Sequence, residues 1–313
     1  MSILTLLFGL SSLLAAAIAV TPEGHKNTPW GYIKQECHHT VPSGSVLERN
    51  AEGGVDVLLN GAVHSKLPKC AYGPRDMFVS QKKSTAFTEK RQFPSDYDGW
   101  LAYTQWQYPG ASQSIDAFTG YFSVPDAPSS TPDVLYVFTG LQDDDWVPIV
   151  DPTPTKFDII QPVLQYPADS GSGWSAKSWF VTLDIGAIAT KEIAFATNAS
   201  VVFGNMTRTG VQSYFVDSVN PATGQSTHLT VKHARLSTQP WAFTTIECYG
   251  CSSSFGGDGC DYLPTAPIHF TKMLLTAHGR TVTPQWQALI SPNPICNTAA
   301  TIISPQKVDY NFQ

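Results

Sequence analysis

Two uncharged amides interrupt an apolar run at 157–167, FDIIQPVLQYP. They are Gln161 and Gln165, with Pro162 between them. Val, Ile and Leu at this density favour a strand. A buried amide carries donors and an acceptor that must be paired or put to chemical use. Much later comes WAFTTIECY, 241–249, where Glu247 is the one acid in an apolar and hydroxyl run. A Gln and a Glu, each alone on a β-type strand, could face each other across a sheet. On residue types alone, a buried polar pair that fixes strand register accounts for them better.

Other stretches carry less. Asp143-Asp144-Asp145-Trp146 offers hard oxygen ligands, but the spacing is not that of a calcium loop and reads as a solvated acidic turn. Ala168–Trp174, ADSGSGW, reads as a turn. His38, His39 and His64 have no second ligand cluster and read as surface residues. There is no G-x-S-x-G, no H-E-x-x-H and no phosphate-binding glycine loop. Seven of the eight tryptophans lie between 100 and 286. Most belong to a core, but a sheet this rich in indole also suits a groove for a bulky apolar ligand.

The elements that must hold these residues are strands. WLAYTQWQY, AFTGYFSVPDAP, VLYVFTGLQ, FDIIQPVLQ, WSAKSWFVTLDIG and ASVVFGNMT are strand-like, with turn residues between. Ser213–Val219 and Ser226–His233 read as a hairpin around Asn220-Pro-Ala-Thr-Gly. One helix candidate remains, Phe270–His278. The class is all-β, two packed antiparallel sheets in a concanavalin-like or jelly-roll-like sandwich with an N-terminal appendage.

The chain has 313 residues, 42% hydrophobic and only 14% charged, with 23 Gly and 23 Pro. That balance suits many short strands joined by turns. Residues 3–19 are apolar and end in Ala17-Ile18-Ala19, a signal-peptide pattern over 1–19. This implies the secretory pathway, with no membrane attachment after removal. Residues 20–91 hold ten Lys and Arg against seven Asp and Glu, and residues 92–313 hold nine against eighteen. A basic N-terminal region, 20–91, thus precedes an acidic body, 92–313, and electrostatics favour their contact. The acidic body argues against nucleic acid. Lys90-Arg91 reads equally as a processing site and as two solvated charges.

Six cysteines fit the oxidising route. The simplest partition pairs Cys37 with Cys70, Cys251 with Cys260 and Cys248 with Cys296, and other pairings stay open. Asn198-Ala-Ser and Asn205-Met-Thr are glycosylation acceptors.

Residues 97–247 resemble the glutamic peptidases of the eqolisin group, and more distantly the neprosin group. AFTGYFSVPDAP is similar to that family's early strand, and Asp158–Gln161 to the segment carrying its catalytic Gln. Trp174–Phe180 is similar to its following aromatic strand. Trp241–Glu247 is similar to its W-x-x-E segment, with three extra residues. The resemblance implies a β-sandwich with a Gln161/Glu247 dyad on one concave sheet, a polypeptide substrate and a basic prosegment. One departure stands out. The family's W-x-G-x-D segment is here Phe138-Thr-Gly140-Leu-Gln142, so both supports of the dyad are changed.

As a whole the chain also resembles fungal hetero-Diels–Alderases that join a tropolone quinone methide to a sesquiterpene. That resemblance implies small-molecule substrates and no cofactor. It needs an aromatic cleft that orients two partners, with Gln161 and a protonated Glu247 as donors and Gln142, Trp174, Trp179 and Trp241 as walls. The leading expectation is therefore a pericyclic cyclase of specialised metabolism. The alternatives are an acid glutamic endopeptidase and a non-catalytic carbohydrate-binding sandwich.

Overall fold

A computed structural model describes residues 21–72, 78–79, 99–110, 114–143, 157–195, 200–251, 260–290 and 295–312. The signal-peptide segment, Lys90-Arg91, Asp144-Asp145-Trp146 and Asn198 lie outside these residues.

Two large sheets make the body. The first, here the site sheet, runs Gln287–Ile290, Gly99–Gln107, Trp241–Tyr249, Val134–Gln142, Asp158–Tyr166, Trp174–Thr182, Gly186–Thr190 and His38–Val41. Ile193–Phe195 adds to the Trp174 strand. The second sheet is built around Ala117–Ser123, Val201–Gly210, Ser213–Asn220 and Gln225–Lys232. The two pack face to face as an all-β sandwich. The hairpin at 220–225 forms as the turn residues predict.

Alternation decides which side each residue takes. In the Asp158 strand, Ile160 and Leu164 point into the inter-sheet core, while Ile159 and Val163 point the other way. Pro162 lies on the core side of a central strand, where proline is rare because it gives no ladder N–H. Its ring packs at Gly204 of the second sheet. A Cβ on Gly204 would come within 2.7 Å of that ring.

The site sheet is buried on both faces. Its outer face lies under a strap from the N-terminal region, with Trp30, Tyr32, Ile33 and the Cys37–Cys70 pair in one apolar cluster with Trp100, Tyr136, Phe138, Trp179 and Tyr249. The N-terminal region is woven in rather than appended. His38–Val41 pairs parallel with Gly186–Thr190, and Ser45–Arg49 pairs parallel with Gln225–Lys232. Gly186 admits the first of these contacts: at φ +104° it has no Cβ, and one would lie 2.1 Å from the Cys37 carbonyl.

Three expectations are corrected. The helix at Phe270–His278 is a strand, Ile268–Ala277. A bulge between Thr271 and Leu274, with Lys272 at φ +51°, breaks the two-residue alternation and leaves helix-like spacing in the sequence. The C-terminal disulfides are Cys248–Cys251 and Cys260–Cys296, while Cys37–Cys70 forms as expected. Gly250, at φ +72°, turns the chain so that Cys251 folds back on Cys248, with Cα atoms 5.9 Å apart. His38 is not a free surface residue. Its ring centroid lies 5.6 Å from that of Trp179, and burial together with the Lys177 charge pushes it down to about 4.

Candidate functional site

Register locates the two amides and the acid. Gln161, Gln165 and Glu247 occupy the alternate positions that face the strap, with Ile159, Val163, Phe243 and Tyr249. Glu247 pairs across to Tyr136, and Tyr136 pairs to Gln165. Gln161 pairs to Trp179, while the register on its other side brings Gly140 and then Phe243 into its row. The Gln161 row and the Glu247 row are thus offset by four residues, about 13 Å along the strand, and the two strands are about 10 Å apart. The expected pair shares a face but is not side by side.

Between these rows runs a third. It holds Lys177, Val163, Phe138 and Thr245 in register. Val163 and Phe138 form an apolar floor. Gln161 and Lys177 stand toward one side of it, Thr245 and Glu247 toward the other.

The polar groups here are buried and incompletely satisfied. Gln161 and Glu247 are both 0% exposed. Gln161 Nε2 donates to the Pro29 carbonyl of the strap at 3.3 Å, and its Oε1 has no protein partner. Glu247 Oε1 accepts from the Tyr249 hydroxyl, while Oε2 has no protein partner. Burial pushes the Glu247 carboxyl well above the usual carboxylate range, outweighing the opposing pull of Tyr249 and of the Trp100 indole. Trp100 acts from outside hydrogen-bond geometry, so its N–H is unpaired, as are Thr245 Oγ1 and Trp179 Nε1. Buried groups in this condition are the exception in folded proteins. A neutral glutamic acid at Glu247 is a hydrogen-bond donor in an aromatic setting.

The strap marks positions on this surface. Trp30 stacks on Phe157 with centroids 4.2 Å apart, and Tyr32 meets Tyr249 edge-on at 4.9 Å. An aromatic plane and a carbonyl oxygen, supplied by Trp30 and Pro29, already sit against the face. At one end a cleft of about 520 Å³ opens between strap and sheet, with Tyr136, Gln165 and Asp169 on the sheet side and His25, Lys26 and Asn27 on the other.

The remaining predicted residues divide. Gln142, Trp179 and Trp241 lie on the strap-facing side, with Gln142 and Trp241 in register at its far end. Trp174 does not. It points into the inter-sheet core beside Tyr166, because it is an odd number of residues from Trp179. Asn205 lies half-buried in a strand of the second sheet, where its Oδ1 accepts from Thr207 Oγ1 at 2.6 Å. Among the described residues, no group of three or more His, Cys, Asp or Glu is placed to hold a metal ion. Nor is any helix among them long and apolar enough to cross a membrane. Sequence reasoning missed Lys177 and Thr245. The signal for Lys177 was present: it is the lone charge in the apolar strand WSAKSWF.

No protein-family model matches the chain, and no curated protein does. Solved structures do. Scytalido-glutamic peptidase with a transition state analog inhibitor is 18% identical with a TM-score of 0.47, over 69% of this chain and 98% of that one. An eqolisin-family peptidase, SCP-B, in complex with a tripeptide Ala-Ile-His is 16% identical with a TM-score of 0.46, again over 69% and 98%. Aspergilloglutamic peptidase from Aspergillus niger is 15% identical with a TM-score of 0.39, over 57% and 99%. The chain is similar to glutamic peptidases, as its sequence implied, and at these values the likeness is confined to the fold.

Proposed function

We propose that the strap-covered face is the site of a cofactor-independent pericyclic cyclase of the hetero-Diels–Alder type. One observation carries the reading: the four-residue offset between Gln161 and Glu247. A hydrolytic dyad needs its acid and its amide around one water. In the row of Gln161 the neighbours are Gly140 and Phe243, and the amide in the row of Glu247 is Gln165, whose Nε2 already donates to Asp169. The face suits a different task, holding two apolar, oxygenated partners over an aromatic floor with hydrogen-bond donors at its edges. In a [4+2] closure three π bonds become two σ bonds and one π bond, and no atom leaves. Orientation alone supplies several kcal/mol of such a barrier. The Gln161 amide and the neutral Glu247 carboxyl stand at opposite edges and each polarises an oxygen of one partner, and Phe138, Trp179 and Phe243 wall the floor. The strap must lift for substrates to enter, and Pro29 and Trp30 stand where a ligand oxygen and ring would lie.

A second reading has its own observation. The Pro29 carbonyl on the Gln161 amide resembles a peptide laid across a peptidase site, so an acid endopeptidase in a self-covered state is the competing function.

Glu247→Gln separates the two, because an amide still donates a hydrogen bond but cannot move a proton. The purified protein and this variant are incubated with a denatured protein from pH 2 to about 7, and separately with a quinone-methide precursor and a polyene. The cyclase reading expects no proteolysis, cyclisation kept within about tenfold in Glu247→Gln, and a loss of about 10²-fold in Glu247→Leu. Proteolysis at low pH that vanishes in Glu247→Gln would establish the peptidase instead.

A further inference from the structure

Lys177 has no part in the scheme above, yet it is the most conspicuous charge on this face. It is 2% exposed and lies in the row of Val163, Phe138 and Thr245. Its ammonium stands over the Trp179 ring, 5.5 Å from the centroid. A buried cation is costly unless its donors are well matched. Its counter-charge is Asp169, whose side chain is 60% exposed. Cation and anion are thus unequally placed, the lysine in the aromatic face and the aspartate at the rim. Asp169 also lines the 520 Å³ cleft, together with Gln165, whose amide donates to Asp169 Oδ1 at 2.9 Å. A molecule entering by the cleft meets a carboxylate already held by an ammonium and an amide.

We infer that Lys177 is an anion-recognition residue of the covered face, selecting an aromatic or polyene substrate that carries an ionised oxygen, and that Asp169 holds its place in the free protein. This rests on the cyclisation reading for the reaction but not for the binding. The exchange is balanced in charge. The ligand oxyanion takes the hydrogen bonds of Lys177 and Gln165, and Asp169, already mostly in water, swings fully into solvent. Burial opposes ionisation of Asp169, but the Lys177 charge together with the hydrogen bonds from Lys177 and Gln165 holds the carboxyl below its usual range. Among the other titratable neighbours, His38 is pushed down to about 4 and is neutral at pH 7, Glu192 accepts from the Asp169 backbone N–H at 2.9 Å, and Lys26 stands across the cleft with Glu23 and Asp133. Charge-assisted bonds in a water-poor setting distinguish an anion from its neutral isostere.

The test is calorimetric titration at pH 7 with 2-naphthoate and with 2-naphthamide, which have the same shape and differ in charge. The wild-type protein is expected to hold naphthoate about tenfold more tightly than the amide. Asp169→Asn removes the internal competitor and widens that preference by a further factor of about ten. Lys177→Met erases it, and Lys177→Arg restores it in part. Equal binding of the two probes by Asp169→Asn, or a preference that survives Lys177→Met, overturns the assignment. Should Lys177→Met fail to fold, the Asp169→Asn comparison decides alone. Binding is read without turnover. A protein that prefers naphthoate through Lys177 yet joins no substrates keeps this assignment and loses the cyclisation reading.

Discussion

The two faces of the site sheet are equally dry and differently finished. On the side of the second sheet, hydroxyls meet partners supplied by regular structure. Thr244 pairs with Thr104 and Tyr310, each at 2.7 Å. Ser178 bonds to the Thr227 carbonyl at 2.8 Å, and the Tyr214 hydroxyl donates to the Ile115 carbonyl at 2.6 Å. Thr139 and the Trp174 indole are unpaired there, and at the strand end the Gln239 amide donates to Asp158 Oδ1 at 2.8 Å while Asp158 Oδ2 and Gln239 Oε1 have no protein partner. On the strap side the unpaired atoms gather: Thr245 and Glu247 two residues apart with Trp100 alongside, and Gln161 in register with Trp179. A sheet laid on a sheet presents backbone and side chains at matching intervals. A strap crosses the face and answers Gln161 through Pro29. The contrast supports the proposal that the strap side is kept for something other than folding, since unmet buried polar groups weaken a fold.

The contrast breaks most clearly at tryptophan. Trp174→Ala opens a cavity in the inter-sheet core and is expected to cost about 3–5 kcal/mol in urea unfolding. Trp241→Ala, at the half-covered end of the strap side, is expected to cost much less. Equal losses would mean that both faces serve stability alike.

A pH series sharpens it. Glu247 has a folded pKa raised above the ordinary 4.5. The native state therefore keeps a proton that the unfolded chain gives up. The associated stability is fully present below about 4.5 and is lost as pH rises toward the folded value, at up to about 1.4 kcal/mol per pH unit. Glu247→Gln is expected to lack this slope, so that its urea midpoint overtakes the wild type as pH rises from 4.5 to 8. Parallel midpoints across that range would mean that Glu247 is not held neutral.

The smallest effect compares two hydroxyls of equal burial. Tyr310→Phe leaves Thr244 short of a partner and is expected to cost about 1–2 kcal/mol. Thr245→Val removes a hydroxyl with no partner and is expected to change stability by less than about 0.5 kcal/mol, or to raise it. A larger loss for Thr245→Val than for Tyr310→Phe would erase the distinction between the faces.

Much of this was legible beforehand. Turn residues between apolar runs gave the strands, and Asn220-Pro-Ala-Thr-Gly gave the hairpin, because these signals act over a few neighbouring residues. The bulge at Lys272 was not legible, since one irregular residue turns a strand pattern into a helical one. The disulfide partition failed for a similar reason: Gly250 closes Cys248 on Cys251, and only a backbone shows that turn.

Sequence alone therefore determined the class of the fold, the oxidised cysteines and the odd polar residues Gln161, Gln165 and Glu247 in their apolar strands, because composition and alternation are local. The tertiary structure decided which of these meet. Register across four strands separated Gln161 from Glu247, brought Lys177 between their rows, turned Trp174 into the core and laid Pro29 on the amide. Those outcomes depend on pairings between segments tens to hundreds of residues apart, and a shift of a single residue in any one of them would have reversed the faces.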